Sequence, residues 1–285
     1  MTAKAGSERD FWERRAAAWE RRTDSMEQFS AAHGGPAMDR LGPQPGERIA
    51  DIGCGPGTTV VELARRVAPG GEVLAVDISP GMIAAAERRV GAEGIEGIEG
   101  VSFAVADLEE APIGADLDGL YSRFGLMFFD DPPAAFANLA ASLRPGGRLG
   151  CAVWSELGEN PWMFVPTLAA VLTLGADPPI PAPGEPGPFS LADEGELRAM
   201  LAGAGFANTR IEVVRHPRVL HSSTVEDEVR SMLEVGPIAE AFESADDDSR
   251  RATIAAVVEA IEPYAEGDGW SIPGASLVVT ARLPD

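Results

Sequence analysis

Ile49-Ala50-Asp51-Ile52-Gly53-Cys54-Gly55-Pro56-Gly57-Thr58-Thr59 decides how this chain of 285 residues folds. An apolar run runs into a glycine-rich turn, and a helix opens at Thr58 or Thr59. Glycine lets the backbone turn tightly and leaves no side chain between its N–H groups and a ligand, while a helix N-terminus carries partial positive charge. The polar end of a ligand therefore belongs on this turn, and the cradle suits a nucleoside cofactor.

Outward from it the rhythm repeats. Pro45-Gly46-Glu47, Pro69-Gly70-Gly71 and Pro145-Gly146-Gly147 each precede an apolar run and read as helix-to-strand turns. Strands are expected at 48–52, 72–77, 101–105, 117–122 and 148–154, alternating with helices at 58–68, 80–91 and 132–143. Such alternation marks an α/β fold, a parallel sheet with helices on both faces, and ligands bind at the carboxyl ends of its strands. Asp77 ends the second strand, 20 residues beyond Gly57, where a carboxylate can grip two ribose hydroxyls; Ser79 and Pro80 then start a helix. Asp107 ends the third strand at the same edge, where it can accept from an adenine amino group while Leu108 packs on the ring.

Spacing bears on the cofactor. A dinucleotide fingerprint is G-x-G-x-x-G, but the register from Gly53 puts Thr58 in the third place and Gly57 one position early, so an NAD-dependent oxidoreductase is the weaker reading. The pattern Asp51-x-Gly53-x-Gly55-x-Gly57 resembles motif I of the class I S-adenosylmethionine (SAM) methyltransferases. Asp77, Asp107-Leu108, Tyr121-Ser122-Arg123-Phe124 and Leu143-Arg144-Pro145-Gly146-Gly147-Arg148-Leu149 are similar to the motifs that follow it, in order, through residues 45–154. The nearest type is the ubiquinone/menaquinone-biosynthesis group, which includes many small-molecule and natural-product enzymes. The resemblance implies a Rossmann-like seven-stranded sheet with an antiparallel last strand, SAM as cofactor, S-adenosylhomocysteine (SAH) as product, and methyl transfer. It implies a cofactor site of Asp51, Gly53, Cys54, Gly55, Gly57, Asp77, Ile78, Met82, Asp107, Leu108 and Ser122, with Asp51 placed to accept from the α-ammonium group. A SAM-binding regulator or partner protein that transfers no methyl is the alternative of another class.

The flanks are less like the family. Residues 8–32 read as one or two amphipathic helices ending near His33-Gly34-Gly35-Pro36, an N-terminal cap (1–37) whose Trp12 and Trp19 can close over the ligands. The core then spans 38–154, and 155–285 holds lid insertions plus the last strands of the same sheet. A Pro-rich stretch at 155–190 surrounds a short helix at 162–175; Trp154, Trp162, Met163 and Phe164 would be costly to leave exposed, so a lid over an apolar substrate is expected. A helix at 194–203, a sixth strand at Thr209–Val214, helices at 224–243 and 247–265 and a seventh strand at Ala275–Arg282 complete the reading. Gly94–Gly100 reads as a loop expansion.

Methyl transfer from a sulfonium is an in-line displacement, so the protein's part is alignment and water exclusion. Should the acceptor carry an acidic proton, His216 or His221, just beyond the sixth strand, is a candidate base, and Arg123 a candidate partner for a substrate anion. Candidate substrate contacts are Trp12, Trp19, Arg123, Trp154, Trp162 and Phe164. No metal is expected, because His33, His216 and His221 lack ligand spacing, and Cys54 and Cys151 read as packing residues. A formal net charge of −22 disfavours nucleic acid and points to a small-molecule substrate of a largely apolar or aromatic kind, as in secondary metabolism, with O- or C-methylation favoured and N open. With no apolar core in MTAKAGSERDFWERR and no membrane-length apolar run, a soluble, cytoplasmic protein is expected, with a homodimer as the candidate assembly.

Overall fold

In a computed structural model of the protein, residues 5–93, 100–177, 181 and 185–285 are described, side chains from Glu8 onward. The element order is α1 (Ala5–Leu41), β1 (Arg48–Ile52), α2 (Thr58–Val67), β2 (Glu72–Asp77), α3 (Pro80–Ala92), β3 (Val101–Val105), β4 (Leu117–Arg123), α4 (Pro132–Ser142) and β5 (Leu143–Trp154). There follow α5 (Pro161–Leu174), α6 (Glu194–Gly203), β6 (Ala207–Arg215), β7 (Arg218–His221), α7 (Val225–Val235), α8 (Ala239–Ser244), α9 (Asp247–Ala260), β8 (Ala265–Glu266), β9 (Gly269–Ile272) and β10 (Ala275–Arg282). The seven-stranded sheet runs β3-β2-β1-β4-β5-β10-β6, with β10 antiparallel to both neighbours. The order reverses beside β1, so the crevice between the carboxyl ends of β1 and β4 is the switch point where ligands bind in open α/β sheets. Buried strands carry continuous apolar runs, as helices on both faces require: Ile49, Ala50, Ile52, Leu120, Leu149 and Val153 are all sealed from solvent.

The N-terminal helix differs from expectation. It does not stop at His33-Gly34-Gly35-Pro36 but runs through Pro36 to Leu41. Packing outweighs the breaker signals: Phe29, His33, Ala37, Met38 and Leu41 are buried, and Tyr121 Oη donates to the Gly34 carbonyl at 3.0 Å. A Cβ at Gly34 would run into the Arg123 side chain, so glycine serves a close crossing there rather than an ending. Ion pairs and caps fasten α1 to α3: Glu13 accepts from Ser79 Oγ (2.7 Å) and Gly81 N (2.8 Å), Arg88 grips Glu20 through two bonds, and Arg89 holds Asp24 at 2.8 Å. The helix thus lies across the ligand-binding edge.

Other departures are local. The expected helix at 224–243 is two helices, α7 and α8, broken at Gly236-Pro237 where proline removes an N–H. That at 247–265 ends at Ala260. Pro145-Gly146-Gly147 lies inside β5, as an irregularity in its register with β4 between Leu117↔Leu143 and Gly119↔Arg148. A second sheet, β7-β9-β8, was not legible beforehand. Residues 94–99 of the loop read at Gly94–Gly100, and most of Pro178–Pro183, lie outside the described residues. No helix among the described residues is long and apolar enough to cross a membrane.

Candidate functional site

One cavity of about 410 Å³ opens at the carboxyl ends of β1, β2 and β4, within the range usual for small-ligand sites. Its first half is built by the glycine turn. Gly53, at φ +64, would place a Cβ 2.9 Å from Gly125 Cα, so only glycine lets the β1 turn and the segment after β4 meet. Gly55, at φ +52, meets nothing within 4 Å where its Cβ would be, and it lines the cavity. That open volume is the cradle a ligand backbone approach needs. Gly57 works differently, as its missing Cβ lets α2 pass Ala86 of α3, and it does not line the cavity.

Asp77 lines the cavity from the end of β2, its Oδ2 accepting from Gly55 N and its Oδ1 from Ser79 N, both at 3.0 Å. Burial pushes its carboxyl up to about 6, against the lowering effect of those N–H groups. Each carboxylate oxygen has two lone pairs, so capacity remains for two ribose hydroxyls. Cys54, Ile78, Met82, Asp107 and Leu108 also line this half. Asp51 and Ser122 do not. Asp51 accepts from Thr59 Oγ1 at 2.5 Å, is sealed in the turn, and is pushed up to about 7 by burial; Ser122 donates to the Ile52 carbonyl at 2.8 Å. Asp51 is in register with Tyr121, so by strand alternation it and Ser122 face opposite sides of the sheet, and each is used in bracing rather than in lining: Asp51 against α2 and Ser122 against β1.

The second half of the cavity is aromatic. Trp154, at the end of β5, is stacked on Phe124 at 3.9 Å and 9°, and on Phe29 of α1 at 5.7 Å and 18°. Phe124 holds φ +64, which a bulky residue adopts only where its surroundings enforce it. Trp162 packs edge-on against Phe29, with its Nε1 donating to Asn160 Oδ1 at 3.0 Å. These rings are core and cavity wall at once: Trp154 and Trp162 are 5% and 6% exposed, yet both line the cavity. Trp12 and Trp19 of α1 and Met163 of α5 join them, whereas Phe164 does not line it. The described part of the Pro-rich stretch closes one side, pinned where Gly187 N (3.0 Å) and Ser190 Oγ (2.6 Å) donate to the Met127 carbonyl.

Arg123 lines the cavity but is already paired, with two bonds to Glu27 at 2.9 and 2.8 Å and one to Thr58 Oγ1 at 2.6 Å. The candidate bases are misplaced. His216 bonds its own neighbour through Nδ1 (Pro217 carbonyl, 3.0 Å), His221 is exposed on β7, and neither lines the cavity. They do follow β6 at the correct edge, but β10 stands between β6 and β5: Trp154 pairs with Ser276, and Ser276 with Val214. Two strand spacings, about 10 Å, separate β6 from β5, and the crevice between β1 and β4 lies beyond that. His33, pushed down to about 4 by burial, bridges Ser276 Oγ (2.9 Å) and the His216 carbonyl (3.1 Å) as a structural side chain. Among the described residues no His, Cys, Asp and Glu cluster could hold a metal ion.

Sequence reasoning missed Arg15, Glu27, Phe128, Met232 and Ile238, all of which line the cavity. For Arg15 a signal existed in the spacing Phe11, Arg15, Trp19, which places all three on one helix face. Met232 and Ile238 gave none, since they reach the site only through the break between α7 and α8.

The residues present fit SAM: an open glycine cradle, a half-buried carboxylate at the end of β2 for the ribose, and Met82 and Leu108 as apolar flanks beside Asp107 for the adenine. Residues 49–147 match the family model described as "Methyltransferase domain". The chain is 36% identical over 115 residues to a nocamycin O-methyltransferase of Saccharothrix syringae, covering 40% of each chain. It is 32% identical over 126 residues to a demethylmenaquinone methyltransferase of Beutenbergia cavernae, covering 44% of this chain and 47% of that one. Those matches span less than half of either relative's length. Phosphoethanolamine N-methyltransferase 2 of Haemonchus contortus, solved with S-adenosyl-L-methionine, superposes with a TM-score of 0.53 at 19% identity, covering 88% of this chain and 52% of that one, which shows the shared fold. Residues 49–147 therefore carry a methyltransferase domain, set in a fold shared with solved methyltransferases.

Proposed function

We propose that the protein transfers the methyl group of SAM to a small, largely apolar or aromatic metabolite. The observation that carries this reading is the continuity of one cavity, lined by Gly55 and Asp77 at one end and by Trp154, Trp162 and the α1 tryptophans at the other. SAM supplies an electrophilic methyl carbon when bound. The chain's own residues then have three tasks. Asp77 accepts from the ribose hydroxyls, Asp107 accepts from the adenine amino group, and the aromatic wall holds an apolar acceptor while excluding water. Among the described residues no histidine lines the cavity, so an acceptor atom that is nucleophilic without a histidine base fits best, and an oxygen or ring carbon whose proton is acidic enough to have left before transfer meets that need. The named O-methyltransferase among the relatives supports the same class.

The site also favours a small acceptor over a polymer, since α1 and the Gly187–Ser190 segment roof it and the chain carries a net charge of −22. The test is incorporation of labelled methyl from SAM into a panel of hydrophobic phenols, ring-carbon acceptors and amines, with RNA and protein controls. Labelling of phenols or ring carbons is expected. Labelling of macromolecules alone, or SAM binding without turnover on any acceptor, would replace this reading, the latter by that of a SAM-binding regulator.

A further inference from the structure

Resting on the reading of this cavity as an acceptor site, we infer that Arg15 and Trp19 select an acceptor molecule bearing an oxygen on its apolar framework, a carbonyl or a carboxylate, and reject one bearing a cationic amine at that place. Both side chains line the cavity, one helical turn apart on α1, so they present to the same ligand. The walls around them are apolar, Phe11, Trp12, Phe128 and Ile238 among them, and a donor in such surroundings is decisive for orientation.

Arg15 is positioned rather than loose. Its Nη1 donates to the Gly236 carbonyl at 2.9 Å, at the break between α7 and α8, and its guanidinium carbon sits 3.9 Å from the centroid of the Phe11 ring. One of the several N–H groups of a guanidinium is thereby committed, which leaves the other donors of a cavity-lining residue for a ligand. Burial lowers its pKa, while Glu243 and Glu240 of α8, which do not line the cavity, and Glu8, which does, favour the charged form. The other cation of the cavity, Arg123, is bidentate to Glu27. Arg15 is thus the guanidinium open to a ligand among the described lining residues.

Trp19 supplies an independent observation. Its indole Nε1 is enclosed and has no hydrogen-bond acceptor among the described residues. An enclosed donor without an acceptor is costly to keep, and a ligand atom is one explanation for retaining it. Guanidinium and indole N–H groups donate and do not accept, so together they read acceptor atoms and leave an ammonium group unpaired.

The test is calorimetric binding of naphthoate, acetylnaphthalene, ethylnaphthalene and naphthylmethylammonium, run with and without SAH. The wild-type protein is expected to bind naphthoate or acetylnaphthalene about tenfold or more tightly than ethylnaphthalene, and the ammonium probe weakest. Arg15→Gln should remove the advantage of the oxygenated probes, Arg15→Lys should keep part of it, and Trp19→Phe should reduce it while preserving ring contacts. SAH affinity, unchanged in all three variants, reports that the fold and the cofactor half are intact. Equal binding of oxygenated and hydrocarbon probes, no binding of the oxygenated ones, or a preference that survives Arg15→Gln would overturn the inference. Absence of SAH binding by the wild-type protein would instead strike the methyl-transfer reading, and the probe ranking without SAH would still decide this one.

Discussion

The two halves of the cavity are made in opposite ways. The cofactor half is backbone: glycines at positive φ, a strand-end carboxylate and N–H groups, all within the 30 or so residues that follow Ile49. The acceptor half is side chains gathered from α1, the end of β5, α5 and the junction of α7 and α8. A backbone site is fixed by local spacing, and so it is legible and repeats across relatives; a side-chain site depends on how distant elements pack. The family model matches residues 49–147, which hold the first half and leave out α1, the end of β5, α5 and the α7–α8 junction.

The strongest way to break the contrast is Trp154→Ala. If the aromatic wall is also core, stability should fall by about 3–5 kcal/mol in urea unfolding, because a 5% exposed ring stacked on Phe124 and Phe29 leaves a cavity. A loss under about 1 kcal/mol would make Trp154 wall only. Gly53→Ala should cost about 2–4 kcal/mol, from positive φ and a close contact with Gly125 that cannot give way. Gly55→Ala should cost about 1 kcal/mol of stability yet weaken SAM binding, since its Cβ enters open cavity. Equal effects of the two glycine variants on folding would dissolve the distinction between turn and cradle.

A pH titration sharpens it further. Burial raises Asp77 to about 6 and Asp51 to about 7, so the folded ligand-free protein holds these protons more tightly than the unfolded chain. Their contribution to stability is therefore greatest at low pH and is lost as pH rises from the unfolded value near 4 through 6 and 7. The urea midpoint should be higher near pH ~5.5 than near pH ~7.5, and Asp51→Asn should flatten the difference. SAM runs the other way: ribose hydroxyls donate to the ionised Asp77, so affinity should fall as pH drops below about 6. A cofactor affinity flat across that window would remove Asp77 from the ribose.

The same contrast explains what could be read in advance. Asp77, at the end of β2, and Asp107, two residues beyond the end of β3, both line the cavity, and period and turn chemistry locate them to within that margin without tertiary knowledge. Asp51 is expected at the ligand, and the structure places its carboxylate on Thr59 and off the cavity lining, since sequence gives a residue's strand but not which side of a turn its carboxylate faces. His216 and His221 are expected at the site from their place after β6, but β10 stands between β5 and β6, and His221 belongs to β7 of the second sheet. Gly34-Gly35-Pro36 read as a helix end because breakers are scored locally, whereas Tyr121 and Arg123 hold that turn from another part of the chain.

The central claim, that the glycine turn and Asp77 hold SAM, is tested most directly by titrating SAM into the wild-type protein and into Asp77→Ala near neutral pH. Saturable binding by the wild type and at least a tenfold loss in the variant is the predicted result, the loss matching about 1.5–3 kcal/mol for hydrogen bonds to a charged group. No binding by the wild type, or the same dissociation constant for both, would contradict it.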